Sequence, residues 1–189
     1  MYMTETTNLA GTLLVAIPNT AHSGYVRSVM LVTGHWSKGT SSVVLNRPFK
    51  TGITVGNIMY NAGIAYKCDE PVFEGGPDQQ GRIQFVHSLD WQCAGTKVLN
   101  EHIGVTVENS ILTAIAQEEG PRLWRCIAGH RLLGPGFTEG ELRGEPPWEP
   151  GHRWLTIPAT IESTFIGLGD QQWLECVNEH TRQSVNHFF

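Results

Sequence analysis

The chain has 189 residues and a mass of 20.9 kDa, enough for one domain with a proper core. Hydrophobic residues at 40% and charged residues at 16% are globular values, and a formal charge of −5 with only 13 Lys and Arg gives no basic stripe, so direct, nonspecific nucleic-acid binding is not expected of the monomer unless a local patch or a partner supplies it. The longest apolar run, 13–17, is far below the roughly 20 residues that span a bilayer, so no membrane association is expected.

Residues 1–10 are polar and read as a flexible N-terminal arm. The arm carries Glu5 and lacks a basic segment followed by an apolar one, so no secretory signal is visible and a cytoplasmic location is expected. In that compartment the widely spaced Cys68, Cys93, Cys126 and Cys176 read as reduced core residues. Residues 12–17 form a first buried strand that Pro18 stops, and 26–33 a second. The turn formers of 34–39 reverse the chain through a loop of several residues into a third strand.

In that strand Val43, Val44 and Leu45 run without polar interruption, the pattern of a strand covered on both faces. Pro48 ends it and pushes Arg47 toward extended geometry, so the Asn46-Arg47-Pro48 tip is stiff. Arg47 suits two roles: a bidentate clamp on a carboxylate or phosphate, or an anchor on loop carbonyls. Alternate residues of a strand face opposite ways, so unless the strand ends before Asn46, Asn46 and Arg47 are expected as two separate anchors that each fix a different layer around the sheet, with ligand binding only where a pocket opens beside Arg47.

Residues 54–62 change to a helical period, with Thr54 as N-cap and Gly63 after the end. A short strand over 71–74 runs into Gly75-Gly76-Pro77, which offers either amides that cradle an anion or a plain tight turn. Along 82–87, Ile83, Phe85 and His87 alternate with Arg82, Gln84 and Val86. His87, at the strand end, is a candidate base, ligand or satisfied hydrogen bonder. Strands over 96–99 and 103–107 precede a helix that starts at Glu108-Asn109-Ser110 and closes at Gly120-Pro121. A strand over 123–128 leads to a Gly-rich segment, 129–144, with a short helix over 137–142. There Gly134, Gly136, Glu139 and Glu141 form a loop with polar cargo that could line a cleft or be a solvated helix start. Three prolines within 145–151 forbid regular structure, and Trp148 in that loop is a candidate partner contact. A last strand over 154–157 and a last helix over 171–181 precede a tail, 182–189. Strands and helices intermix without a βαβ rhythm, which favours an α+β fold in a single domain over 11–181.

Catalytic signatures are missing. No Walker loop, G-x-G-x-x-G or G-x-S-x-G is present, and the eight histidines form no compact metal-binding pair, so neither cofactor nor metal is expected.

Several segments in this order resemble one family: 11–18 (Gly-Thr-Leu-Leu-Val-Ala-Ile-Pro), Arg27-Ser28-Val29, Leu45-Asn46-Arg47-Pro48, Phe73-Glu74-Gly75-Gly76-Pro77, Phe85-Val86-His87, and Gly134-Pro135-Gly136 with Glu139 and Glu141 before Trp154. Together they are similar to the YqgE/AlgH family, also called UPF0301 or DUF179. The chain departs from it at His130 and Leu133, where the family usually has an aromatic residue and then Trp, at Phe137-Thr138, where it has Gln-Leu, and in 145–151, which looks like an insertion. The resemblance implies a branched mixed sheet with a small barrel-like part, surrounded by helices. It implies a bacterial protein, or a phage-encoded copy, without an established reaction. One branch is described as a transcriptional regulator.

The leading expectation is therefore a non-catalytic binding or regulatory module, acting through a protein partner or small molecule and affecting transcription only indirectly. The alternative is an enzyme for a small anionic substrate, which requires Arg47, the double-glycine turn and either His87 or Glu139 in one pocket. A third reading is an assembly protein that docks through Trp148 and Phe188-Phe189.

Overall fold

The computed structural model describes residues 8–18, 24–144 and 154–186; Trp148 and the C-terminal phenylalanines lie outside them. The strands are β1 (Thr12–Ala16), β2 (Val29–Trp36), β3 (Gly39–Val44), β4 (Val72–Glu74), β5 (Asp78–Ser88), β6 (Lys97–Val98), β7 (Ile103–Thr106), β8 (Trp124–Leu133) and β9 (Trp154–Pro158). The helices are α1 (Val55–Asn61), α2 (Ser110–Ala116), α3 (Phe137–Arg143), α4 (Ile161–Phe165) and α5 (Gly169–Asn186).

The strands follow the order β6-β7-β5-β8-β3-β2-β1-β9, antiparallel throughout, while β4 leaves that path to pair parallel with β8. The sheet is therefore branched and mixed, as expected. It also curls. Lys97 on β6 donates to the Thr33 carbonyl on β2 at 2.8 Å, and Asn100 donates to Gly11 O at 3.3 Å and Ala159 O at 2.9 Å. The β6–β7 end thus returns to β1 and β2, and the sheet becomes a half barrel.

Alternation along each strand then divides the side chains between an inside and an outside. Leu13, Leu31, Val43, Val86, Val105 and Ile127 fill the interior. One outer core gathers Phe85, Cys126, Val55 and Met59 with Ile111 and Leu112 of α2, and another gathers Leu14, Met30, Val44 and Trp154 with Leu142 of α3. Each large side chain buried this way contributes about 1.5–3 kcal/mol. The uninterrupted apolar runs of β1 and β2 are explained by this: both of their faces are covered.

Capping at α1 follows the sequence signal, with the Thr54 amide donating to Asn57 Oδ1 at 2.9 Å and Gly63 at φ 75° after the last turn. Five expectations change. β5 begins at Asp78, at the end of the expected turn, instead of at Arg82. The β2–β3 hairpin turns through Ser37 and Lys38 alone, because Gly39 adopts φ 139° and lies where a Cβ would meet the Leu133 carbonyl at 2.0 Å. β8 does not stop at Ala128: Gly129, at φ 76°, carries the strand onward to Leu133. α4 is an additional helix, started where Thr160 Oγ1 accepts from the Ser163 amide at 3.2 Å. α5 exceeds the expected 171–181 and takes in residues 182–186. Among the described residues no helix is long and apolar enough to cross a membrane.

Candidate functional site

The Asn46-Arg47 tip grips one segment from two sides. Asn46 is buried; its Oδ1 accepts from the Val29 amide at 3.0 Å, and its Nδ2 donates to Arg27 O at 2.9 Å and Gly169 O at 2.8 Å. The Arg47 guanidinium donates to Gly24 O and, at 2.7 Å, to Val26 O. Both side chains thus hold residues 24–29, and Asn46 also fastens the start of α5.

Gly75 and Gly76 let the β4–β5 connection lie flat on β8. A Cβ on Gly75 would meet Gly129 O at 2.4 Å, and one on Gly76 would meet His130 O at 2.4 Å. The Gly75 amide is already spent on Ala128 O at 2.8 Å. Arg47, Gly76 and Pro77 do share a recess of about 220 Å³ with Tyr25 and Glu74, but neither His87 nor Glu139 lines it. His87 pairs with Trp124, whereas Asp78 at the turn pairs with His130, six positions along β8; at about 3.3 Å per residue that is about 20 Å. His87 is fully buried against Trp91, its Nδ1 donates to Ser88 O at 2.9 Å, and burial lowers its pKa.

Glu139 turns instead to His35, Oε1 to Nε2 3.5 Å. Gly136, at φ 76°, is the N-cap of α3, and Gly134 O accepts from the Phe137 amide at 3.4 Å, so both glycines shape the helix start. The other acid of that helix, Glu141, makes a buried fork with Arg131 at 2.6 and 3.1 Å and accepts from Trp154 Nε1 at 2.8 Å. The Arg131 guanidinium lies between Tyr25 and Trp154, 5.1 and 5.7 Å from their ring centres. This network locks α3 to the outside of β8.

A different set of residues converges at the open end of the half barrel. Interior faces that are apolar deeper in the barrel become polar there: Leu31 gives way to Thr33, Val43 to Ser41, and Val86 to Gln84 and Arg82. On β8 the Gly129 kink changes the alternation, so His130 and Leu132 look into the barrel while Arg131 looks out. The result is a recess of about 420 Å³ lined also by Trp36, Gln79, Lys97, Val105 and Thr106.

Arg82 and Lys97 bring cations to this mouth and His130 a titratable imidazole, and no carboxylate is among its described lining residues. Lys97 is held by Thr33 O, and Gln84 Nε2 donates to Gly129 O at 3.2 Å. Thr33 Oγ1 donates toward Ser41 at 3.1 Å. Burial lowers the pKa of His130 and Arg82 pushes the same way, against Asp78. Asp78 itself accepts from the Leu132 amide at 2.8 Å. The arrangement can bind negative charge: Arg82 and Lys97 are cations at the rim, and His130 joins them only once the pH falls below its lowered pKa.

The family model described as DUF179, AlgH-like, matches residues 13–184. The chain belongs to the AlgH-like family. A UPF0301 protein of Sphingopyxis alaskensis is 31% identical over 172 residues, covering 90% of this chain and 88% of that protein. A UPF0301 protein of Thioalkalivibrio sulfidiphilus is 29% identical over 174 residues, with 90% and 89% covered. Among solved structures, that of AlgH from Pseudomonas aeruginosa has a TM-score of 0.73 at 24% identity, covering 96% of this chain and 93% of that one. The fold is the same. In this AlgH-like chain the sequence reading found the anchors at Asn46 and Arg47 but missed the mouth, whose cations come from β5, β6 and β8. One signal was available: Arg82 and Gln84 share a strand face with Val86, which places polar groups on an interior side.

Proposed function

We propose that this AlgH-like chain is a non-catalytic binding module for a small anion, taken into the mouth of the half barrel. The observation that carries the reading is the convergence of Arg82, Lys97 and His130 on one recess whose described lining has no carboxylate. A recess of about 420 Å³ lies within the usual range for small-molecule sites, about 300–1,000 Å³. Any regulatory effect then passes through ligand occupancy or a partner that senses it. The overall charge of −5 disfavours direct action on nucleic acid.

The catalytic alternative loses support from the distance between His87 and the Arg47 recess, and from Glu139 being turned to His35. Calorimetric titration with inorganic phosphate and pyrophosphate tests the binding reading. Wild type should bind, and an Arg82→Ala/Lys97→Ala double variant should lose at least tenfold in affinity, since a charge-assisted hydrogen bond is worth about 1.5–3 kcal/mol. Equal affinity in the two proteins would place the anion elsewhere.

A further inference from the structure

We infer that the ligand of the mouth is a phosphate monoester carrying a planar ring, the class of the nucleoside 5′-monophosphates; this rests on the anion-binding reading above. The phosphate half follows from Arg82 and Lys97, with the His130 imidazole beside them. The planar half comes from Trp36.

Trp36 lines the same recess and keeps 46% of its surface exposed, much for the largest apolar side chain. Its exposure is arranged by two glycines. Gly34, two residues earlier on β2, has no side chain beneath the indole: a Cβ there would meet Trp36 Cζ3 at 2.3 Å. Across the hairpin Trp36 pairs with Gly39, which has no side chain to cover it either. Lys97 Nζ stands 6.0 Å from the ring centre and is fixed by Thr33 O. The ring thus has the Gly34 backbone and the Lys97 ammonium against it, and its directly paired cross-strand residue contributes no side chain.

A tryptophan that served only packing would have apolar side chains on it. This one offers an aromatic platform beside a cationic recess. A flat base stacked on such a platform gains about 1–3 kcal/mol, which is about 5- to 150-fold in affinity. Thr33, Ser41 and Gln84 supply hydroxyl and amide groups for the polar linker between ring and phosphate. A polynucleotide is disfavoured by the chain's charge of −5.

The test compares the four common nucleoside 5′-monophosphates with ribose 5-phosphate, inorganic phosphate and the free nucleosides, by calorimetry and by the indole N–H resonance of Trp36, assigned from a Trp36→Leu variant. At least one monophosphate should bind tenfold or more tighter than ribose 5-phosphate and shift that resonance, and the ratio should collapse toward one in Trp36→Leu. Should ribose 5-phosphate match every nucleotide, the planar ring is wrong while anion binding stands. Nucleosides that bind as tightly as their phosphates would overturn the phosphate half. Failure of all these ligands to bind would overturn both this inference and the reading it rests on.

Discussion

The Lys97 ammonium and the Thr33 carbonyl meet at 2.8 Å across two strands that are not neighbours in the sheet. This contact does two things. It ties the β6 edge back onto β2, closing the curl, and it holds a cation at the rim of the recess. Lys97 is solvent-exposed, so the stabilising part is small. Lys97→Ala should lower unfolding free energy by only about 0.5–1 kcal/mol in urea denaturation, while phosphate affinity falls several-fold. A stability loss of several kcal/mol with unchanged affinity would make Lys97 a structural clasp only.

Asn46 predicts the opposite balance. Its amide satisfies the buried Val29 amide and two carbonyls, so Asn46→Ala leaves them without those bonds. The expected cost is about 2–4 kcal/mol, from unsatisfied buried groups at about 1–3 kcal/mol each. Arg47→Ala, at a more exposed guanidinium, should cost about 1 kcal/mol. Comparison of the two urea midpoints checks the ranking, and a larger loss at Arg47 would contradict it.

The Arg131–Glu141 pair stabilises α3 against β8 only while both members are present. Side-chain exposures of 11% and 2% leave the pair little access to water. Glu141→Ala should cost about 3–5 kcal/mol, because it strands a buried guanidinium. An Arg131→Met/Glu141→Leu double variant should recover part of that loss, the remainder reflecting the Trp154 indole N–H left without its acceptor, as measured by thermal or urea unfolding. A single variant as stable as wild type would show that the pair is not packed as described.

Histidines set the acid limb of stability. Burial lowers the pKa of His87 and His130 from the ordinary 6.5, so at mildly acidic pH the unfolded chain binds protons that the folded chain does not. Stability should therefore be full above about pH 7 and decline as pH falls below 6.5. Removal of His87 as His87→Gln should flatten that slope in denaturation curves at pH 7.5 and 5.5. Binding moves the other way for an anion whose charge stays constant over that range, such as sulfate: protonated His130 attracts it, so its affinity should rise as pH falls. A flat stability profile would contradict the first statement, and affinity that declines in acid the second.

Much of the fold was legible because it depends on short-range signals. Val43, Val44 and Leu45 read as a doubly covered strand, and Thr54 with Gly63 bounded a helix. The tip at Asn46 and Arg47 read as anchors for two different layers, but β3 ends at Val44 and both side chains hold residues 24–29. The mouth was not legible for a different reason. Arg82, Lys97 and His130 come together only through strand order and register, including the kink at Gly129 and the irregularity between Asp78 and Ile83. Gly129 looked like a strand terminator, so His130 was placed in a loop rather than facing the barrel. Trp36 looked like part of a turn, and nothing local said that Gly34 and Gly39 leave its ring uncovered.

The central claim is that anions bind at the barrel mouth, and residue-resolved NMR titration of the intact chain with inorganic phosphate tests it most directly. Saturable shifts should centre on Thr33, Arg82, Lys97 and His130 and be absent in the Arg82→Ala/Lys97→Ala variant. Shifts centred instead on the Arg47 and Gly76 recess, or no saturable shifts at all, would contradict it.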